Sequence, residues 1–432
     1  MNRYDKACEY IENIPKFGSY AGLDNTEQTL SALLHPEKKY KSVHIAGTNG
    51  KGSVAVMISN LLREAGYRVG LFISPHLTVI NERISVNGEN ISDDDFASEF
   101  EKIKAVSDSQ GIYLTYFEFL FCMAADYFAG EKCDYVVFET GLGGRLDATN
   151  TVTPVLSVIT SIGFDHMQIL GNTIEEIAAE KAGIIKPGVP VVYQTGNEKA
   201  DEVITKTALE KGSRALPART AFGDLPDFAK EAVDDFAASQ SALYQKDNAI
   251  TAVVSFFEIL NGRTDEEYQR WIKDALTEFY WPGRMEFLSD GIVIDGAHNE
   301  NAVRRFVQSA NALLDGGKWK KIRLLFAVCA DKDYEDIVRI LSEGISFEKV
   351  YVAELASERK TKANDIGSLF RRFRMEAGAG GPSYSGEGIV SFASVPLAWN
   401  AAVSEKTEDT LLAVVGSLYL VGEIRDLLNE ER

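Results

Sequence analysis

Lys51 and Ser53 close the octapeptide Ala46-Gly47-Thr48-Asn49-Gly50-Lys51-Gly52-Ser53. It follows the strand-like run Ser42-Val43-His44-Ile45 and precedes helix-spaced apolar residues at Val54, Met57, Ile58, Leu61 and Leu62. A glycine-rich turn between a strand and a helix is a phosphate cradle. Its N–H groups point inward, the helix start adds partial positive charge, and a lysine supplies a full one. These residues predict nucleotide binding. The loop departs from the common P-loop, G-x-x-x-x-G-K-[ST], which spaces its glycines more widely and places a hydroxyl directly after the lysine. Here only Thr48 and Asn49 separate Gly47 from Gly50, Gly52 follows Lys51, and the hydroxyl arrives at Ser53. A plain strand–turn–helix corner does not require this collection of glycine, lysine and serine.

Other polar residues stand at the ends of strand-like runs. Asp134-Tyr135-Val136-Val137-Phe138-Glu139 ends in a carboxylate that, at the C-terminal end of a parallel strand, can hold Mg²⁺ beside a phosphate loop; an ordinary strand-end acid is the plain alternative. Thr140 to Asn150 follows as a tight polar turn rich in glycine, with Arg145 and Asp147, and loops of that kind carry function. Ile159 to His166 is again a strand running into a polar end, where His166 can be a metal ligand, a base or a hydrogen-bonded structural residue. Lys181 lies in the last turn of a helix starting near Thr173, where a lysine ordinarily complements the helix dipole. Ile292-Val293-Ile294-Asp295-Gly296-Ala297-His298-Asn299 predicts strand, turn and helix with Asn299 as cap. Asp295 and His298 then sit at the mouth of a sheet, suited to ribose, a phosphate or an incoming substrate.

The elements that must position these groups alternate along the chain. Strands are expected at 42–46, 68–73, 134–139, 155–160, 189–193, 291–295, 322–328, 348–353 and 410–415. Helices are expected at 53–65, 117–129, 173–182, 246–260, 299–314 and 392–404. The alternation predicts an α/β fold, parallel sheets with helices on both faces. The stretch 195–245 is polar and weakly periodic, and no element is assigned there. Trp281-Pro282-Gly283-Arg284 stops the preceding helix and marks a domain boundary, giving a first domain of 1–282 and a smaller second domain of 283–432.

The composition narrows the function classes. At 432 residues, 45% apolar and 25% charged, the chain is expected to be a soluble globular protein of more than one domain. The net charge of −19 argues against nucleic acid as the partner. A local pocket of basic groups and helix starts can still bind small anions. No apolar run is long enough to span a bilayer, and Met1 to Lys6 lacks the apolar core of a signal peptide. Cys8, Cys122, Cys133 and Cys329 are scattered, as expected of free thiols in a reducing cytoplasm.

Taken together, the motifs resemble the folylpolyglutamate synthase/dihydrofolate synthase family of the Mur ligase superfamily. The resemblance rests on Gly47–Ser53, Ser74-Pro75-His76-Leu77, Asn81-Glu82-Arg83-Ile84, Thr115-Tyr116-Phe117-Glu118, Gly141–Asn150 and Glu180–Lys186. It continues in Trp281–Arg284, Asp295–Asn299, Asp331-Lys332-Asp333 and Gly416-Ser417-Leu418-Tyr419, in the family's order and over nearly the whole chain. It implies a P-loop-containing, Mur-ligase-like ATPase domain followed by a smaller Rossmann-like α/β domain. It implies ATP-dependent ligation of L-glutamate to a folate, to dihydropteroate or to both, through an acyl phosphate.

By that resemblance Thr48, Asn49, Gly50, Lys51, Gly52 and Ser53 bind the ATP phosphates, with Asn248, Arg284 and Asp295 also contacting ATP. Ser53 and Glu139 ligate one Mg²⁺, and His166 joins Glu139 at a second. Lys51, Lys181 and His298 serve catalysis, and Lys181 matches a lysine that is carbamylated in many relatives. Ser74, His76, Glu82 and Arg83 face the pterin-bearing substrate, Arg145 and Asp147 belong to the substrate loop, and Ser417 and Tyr419 with His298 lie near the glutamate. A cytoplasmic monomer is expected, with no nucleic-acid or membrane partner. Thr140 replaces the family's valine, Ile73 its Thr or Ser, and Glu300 its proline. The stretch Leu243-Tyr244-Gln245-Lys246-Asp247 lacks its usual glycine and histidine. A kinase or ATPase would not need the Asp295–Asn299 motif, and a silent scaffold would not need Lys51, Ser53, Glu139, His166 and Lys181 together. A Mur-type ligase for another carboxylic acid is the alternative.

Overall fold

A computed structural model describes residues 1–15, 22–262, 266–357, 359–376 and 388–430. They form two compact units, one of Met1–Ala238 with Gln245–Phe279, the other of Ser239–Tyr244 with Tyr280–Arg432. The short segment 239–244 joins the second unit through hydrogen bonds. The Leu243 N–H donates to Ser309 Oγ at 3.1 Å, and the Tyr244 hydroxyl donates to Asp295 Oδ2 at 2.8 Å.

The first unit is built on an eight-stranded sheet. Its strands are β1 Lys41–Ala46, β2 Val69–Phe72, β3 Ile84–Val86, β4 Glu89–Asn90, β5 Tyr135–Glu139, β6 Leu156–Ile159, β7 Val191–Tyr193 and β8 Ala215–Pro217, in the order β4-β3-β2-β5-β1-β6-β7-β8. All neighbours are parallel except β2–β3 and β3–β4. Parallel strands are covered on both faces, so they read as continuous apolar runs, and β1 is buried from Ser42 to Ala46. Its polar member, His44, bonds Thr149 Oγ1 through Nε2 at 2.7 Å. Burial, with a smaller push from Lys186, lowers the His44 pKa to about 3, so this histidine is a neutral core residue.

From β1 the chain moves to β2 on one side, and from β6 it moves to β7 on the other. The C-terminal ends of strands flanking such a reversal form the ligand crevice of open α/β sheets. The helix Lys51–Glu64 leaves β1 there, and Val54, Met57, Ile58, Leu61 and Leu62 are all fully buried. Truncating one of the larger side chains costs about 2–5 kcal/mol, so this stripe anchors the loop at the helix start. The region 195–245, left without elements from sequence, holds the helices Glu198–Glu210, Ala218–Gly223 and Asp227–Ser239 as well as β8. The first of these buries only Ala200, Ile204 and Ala208, too thin a stripe to show as clear periodicity.

The second unit is a six-stranded sheet of β9 Glu286–Ser289, β10 Ile292–Asp295, β11 Lys321–Phe326, β12 Lys349–Ala353, β13 Ile389–Phe392 and β14 Thr410–Val415. The order is β13-β12-β11-β14-β10-β9, with only β9 antiparallel. Side chains alternate between the faces. Val293, Leu324, Phe326, Ala413 and Val415 pack with Val303, Phe306, Ile337 and Phe370 of the helices that follow β10, β11 and β12. The helices Val395–Ser404 and Leu418–Glu430 pack against each other instead. The helix expected at 392–404 starts later than its pattern suggested. Phe392 closes β13, and Ser394 stays extended ahead of a helix with Pro396 in its first turn. Among the described residues no helix is long and apolar enough to cross a membrane.

Candidate active site

The loop after β1 is tied to the chain leaving β6. The Thr48 N–H donates to the Ser161 carbonyl at 2.7 Å, the Thr48 hydroxyl donates to the Gly163 carbonyl at 3.1 Å, and Thr160 and Ser161 hydroxyls donate to the Asn49 carbonyl at 2.8 and 3.1 Å. The glycines are required by space and by backbone. Gly50 has φ 88°, and a Cβ there would lie 2.6 Å from Asn248 Oδ1; a Cβ at Gly47 would lie 1.8 Å from Thr160 Oγ1. The helix beginning at Lys51 has no side-chain cap, so its first N–H groups face the crevice as an anion cradle.

Around the cradle stand the groups picked from sequence. Glu139 ends β5 opposite Ile45 of β1, is 3% exposed, and has Oε1 3.8 Å from Lys51 Nζ. Its Oε2 accepts the Ser74 N–H at 2.9 Å. Ser53 is buried, and its Oγ accepts from Gln245 Nε2 at 3.3 Å, while Asn248 Nδ2 donates to Gln245 Oε1 at 2.8 Å. Gln245 thus links the loop hydroxyl to Asn248, a role that sequence left unassigned. Its one local signal is the i, i+3 spacing that puts both residues on one face of the helix Gln245–Ile259.

Lys181 is not a solvent-facing partner for its helix end. It is 3% exposed, and its Nζ donates to the Gly47 carbonyl at 2.8 Å. The Gly141–Asn150 loop holds that helix end close, because Cβ atoms at Gly144 and Gly183 would lie 2.9 Å from the Lys181 carbonyl and 2.4 Å from Arg145 Cβ. Burial, then the Lys51 charge, pushes the Lys181 pKa down to about 7, against the upward pull of Asp165 and Asp147. From about 7 up to the ordinary lysine value of ~10.4, the unfolded chain therefore keeps a proton that the folded chain has released. Stability rises with pH through that window, and the cost of the buried ammonium is fully present below it. Melting curves should show wild type gaining on Lys181→Met as pH rises from about 6 to about 10. A difference that stays flat over that range would contradict the depressed pKa.

The remaining first-unit residues divide into two sets. Arg83 Nε donates to His76 Nδ1 at 2.9 Å, and its guanidinium lies 5.3 Å from the Tyr116 ring centroid, which gathers part of the expected substrate face. Glu82 instead accepts the Leu77, Thr78 and Val79 N–H groups at 2.7, 3.0 and 3.0 Å, so both oxygens organise their own loop. Asp147 is likewise buried and accepts the Leu142 and Thr149 N–H groups at 2.9 and 3.1 Å; burial raises its pKa. Arg145 turns to Glu180, with Nη2 2.8 Å from Oε1. His166 sits at φ 50° beside Asp165, with Nε2 3.7 Å from Oδ1.

Among the described residues no group of three or more His, Cys, Asp or Glu forms a metal cage. Magnesium does not require one. It takes one or two protein oxygens and fills its remaining positions with water and substrate phosphates. The buried Glu139 carboxylate and Ser53 hydroxyl beside the cradle fit that donor chemistry.

In the second unit, Asp295 Oδ1 accepts the Ala297 N–H at 2.8 Å, and Oδ2 accepts the Met285 N–H at 2.9 Å as well as the Tyr244 hydroxyl. Burial raises the Asp295 pKa, and Arg284 opposes the shift. The Arg284 guanidinium lies so close to Gly296 that a Cβ there would be 2.6 Å from Nη1. His298 Nδ1 lies 2.7 Å from the Gly296 carbonyl, which can only accept, so Nδ1 carries the hydrogen and Nε2 is the acceptor of the neutral ring. Asn299 caps its helix through the Ala302 N–H at 3.0 Å, as expected. Ser417 is buried at the end of β14, 3.8 Å from Cys329 Sγ, and its Oγ accepts the Tyr419 N–H at 3.1 Å.

A phosphate cradle with lysine, buried carboxylate and hydroxyl in one open α/β unit, followed by a second such unit, is the architecture of a Mur ligase. Two family models match the chain accordingly, the Mur ligase middle domain over residues 45–216 and the Mur ligase glutamate ligase domain over residues 283–418. The chain belongs to the dihydrofolate synthase/folylpolyglutamate synthase family. It is 34% identical to the protein of that name from Bacillus subtilis, over 98% of this chain and 99% of the other. Escherichia coli FolC in complex with DHPP and ADP superposes with a TM-score of 0.81 at 26% identity, covering 99% of this chain and 98% of that one. The Yersinia pestis bifunctional folylpolyglutamate synthase/dihydrofolate synthase with Mn, AMPPNP and L-glutamate bound gives 0.78 at 27%, again over 99% and 98%.

Proposed function

We propose that the protein uses ATP to join L-glutamate to the carboxylate of a pterin-bearing acid: a folate, dihydropteroate or both. The observation that carries this is the convergence of the Gly47–Ser53 loop, Glu139 and Lys181 on one crevice, in a chain similar along its whole length to synthases of that activity. ATP binding is assigned to residues 1–282 and glutamate binding to 283–432. The loop N–H groups and Lys51 hold the β- and γ-phosphates, and Asn248 borders the same loop. Arg284 and Asp295 serve the nucleotide, and Ser74, His76 and Arg83 the acceptor. Glu82 and Asp147 act by shaping their loops.

An acceptor carboxylate oxygen takes the γ-phosphoryl group and ADP leaves. The glutamate amine then adds to the acyl carbon, and phosphate departs with that carboxylate oxygen. Phosphoryl transfer of this kind is mainly positioning and charge neutralisation. His298 takes the proton released by the amine, the role the resemblance implies for it. Ser53 and Glu139 would hold Mg²⁺, and His166 with Glu139 a second ion as the resemblance implies; the metal would supply neutralisation of phosphate charge. A buried amine with a pKa near 7 is neutral often enough at physiological pH to add to CO₂, which supports carbamylation of Lys181. The proposal extends to a cytoplasmic monomer, as the resemblance implies.

The test is mass analysis of products from dihydropteroate and from tetrahydrofolate with isotope-labelled L-glutamate, ATP and Mg²⁺. A mass gain of one glutamyl residue on either acceptor is expected. No transfer to any pterin acid, with transfer to another carboxylic acid, would replace this function by the broader Mur-type one.

A further inference from the structure

Arg284, the cation assigned to the nucleotide, stands on a turn whose backbone is forced on both sides of it. Gly283 before it has φ 68°, and Met285 after it has φ 48°. The left-handed region is ordinary for glycine and uncommon for a side chain such as methionine. Such a backbone persists only where its surroundings over-determine it, and segments of that kind collect at functional sites. Here a carboxylate takes each flanking N–H. The Met285 N–H donates to Asp295 Oδ2 at 2.9 Å, and the Gly283 N–H donates to Glu286 Oε2 at 2.8 Å. Asp295 belongs to a motif read from sequence. Glu286, the first residue of β9, does not.

The other oxygen of Glu286 is locked in turn. Oε1 accepts the Tyr280 hydroxyl at 2.6 Å and is bonded by Arg425 Nη2, which also donates to the Tyr280 hydroxyl oxygen at 2.8 Å. The Glu286 side chain is 12% exposed, so these charge-assisted bonds form largely out of water, where they hold their direction best. Across the turn, the Gly283 carbonyl accepts the Gly296 N–H at 2.8 Å and Arg284 Nη1 at 3.0 Å. Gly283 is thus held at both its N–H and its carbonyl. A Cβ there would lie 2.9 Å from Val421 Cγ1, so the helix Leu418–Glu430 that supplies Arg425 also packs directly on the turn. The Arg284 guanidinium, folded back onto the Gly283 carbonyl and resting beside Gly296, takes its direction from that turn.

We infer that Glu286, locked by Arg425 and Tyr280, is a positioning residue for Arg284. It fixes the Gly283 end of the turn and with it the direction of the guanidinium that meets the anionic nucleotide. This deepens the assignment of Arg284 to ATP and rests on it.

The experiment is steady-state kinetics with ATP varied at saturating L-glutamate and pterin acid. The enzymes are wild type, Arg284→Ala, Glu286→Ala, Glu286→Gln, Arg425→Met, and the double variants that combine Arg284→Ala with Glu286→Ala or with Arg425→Met. Arg284→Ala should raise the ATP KM by about tenfold and Glu286→Ala by about three- to tenfold, with the glutamate KM unchanged. Glu286→Gln keeps an oxygen for the Gly283 N–H and should recover most of the loss. Each double variant should match Arg284→Ala alone, because nothing is left to position. If Glu286→Ala leaves the ATP KM unchanged, or raises it by the same factor with and without Arg284, the inference is wrong. Should Glu286→Ala not fold, Arg425→Met and its double variant decide by the same comparison. A lower melting temperature and kcat with an unmoved ATP KM would make Glu286 structural and also overturn it. An Arg284→Ala enzyme with the wild-type ATP KM would remove the assignment of Arg284, and this inference with it. Wild type that joins no glutamate would instead remove the function assigned above, and both with it.

Discussion

Lys51→Ala is expected to lower glutamate-dependent ATP turnover by about 10³-fold or more, the loss seen when a main charge partner of a transferring phosphoryl group is removed. The fold should survive. Lys51 Nζ makes only a 3.5 Å bond to the Thr48 carbonyl and stands 3.8 Å from Glu139, while the helix it begins is anchored by the buried stripe from Val54 to Leu62. Circular dichroism and melting temperature should therefore stay close to wild type as hydroxylamine-trappable acyl phosphate disappears. One secondary effect has a clear sign. Lys51 is a cause of the low Lys181 pKa, so removing it should raise that pKa. Wild-type rates in Lys51→Ala would refute the loop assignment.

The second large effect is expected at Glu139→Gln. The amide keeps the shape of the side chain, and its oxygen can still accept the Ser74 N–H, so the Ser74 backbone stays in place. What changes is charge: the partner of Lys51 and the carboxylate offered to Mg²⁺ are both lost. Turnover should fall by about 10²–10³-fold, and the Mg²⁺ needed for half-maximal rate should rise by about tenfold. Titrating Mg²⁺ separates these effects, since a purely structural defect would lower the rate at every Mg²⁺ concentration without moving the midpoint.

What was legible in the sequence follows from how far each signal travels along the chain. The central strands β1, β5, β6, β10, β11 and β14 are buried on both faces, so their local apolar runs announced them. The short elements β3, β4 and β9 are only two to four residues long and lack such runs. Helices with a thin buried stripe, such as Glu198–Glu210, were equally silent. The phosphate loop was legible because glycine spacing is a local demand of its backbone, and the structure adds the contacts that enforce it, Thr160 against Gly47 and Asn248 against Gly50.

Residues whose roles depend on distant partners were not legible. Gln245 gains its place only through a bond to Ser53, far away in sequence. Lys181 sits where a lysine ordinarily faces solvent, and only the fold turns it inward to Gly47.

The most direct test of the account follows oxygen. The acceptor is prepared with ¹⁸O in the carboxylate that receives glutamate, and the inorganic phosphate released during ligation is weighed by mass spectrometry. Attack of that carboxylate on the γ-phosphate, then displacement by the amine, carries one labelled oxygen into phosphate for each amide formed. Phosphate released without label, while amide accumulates, would contradict the acyl phosphate and with it the roles given to the loop and its lysine.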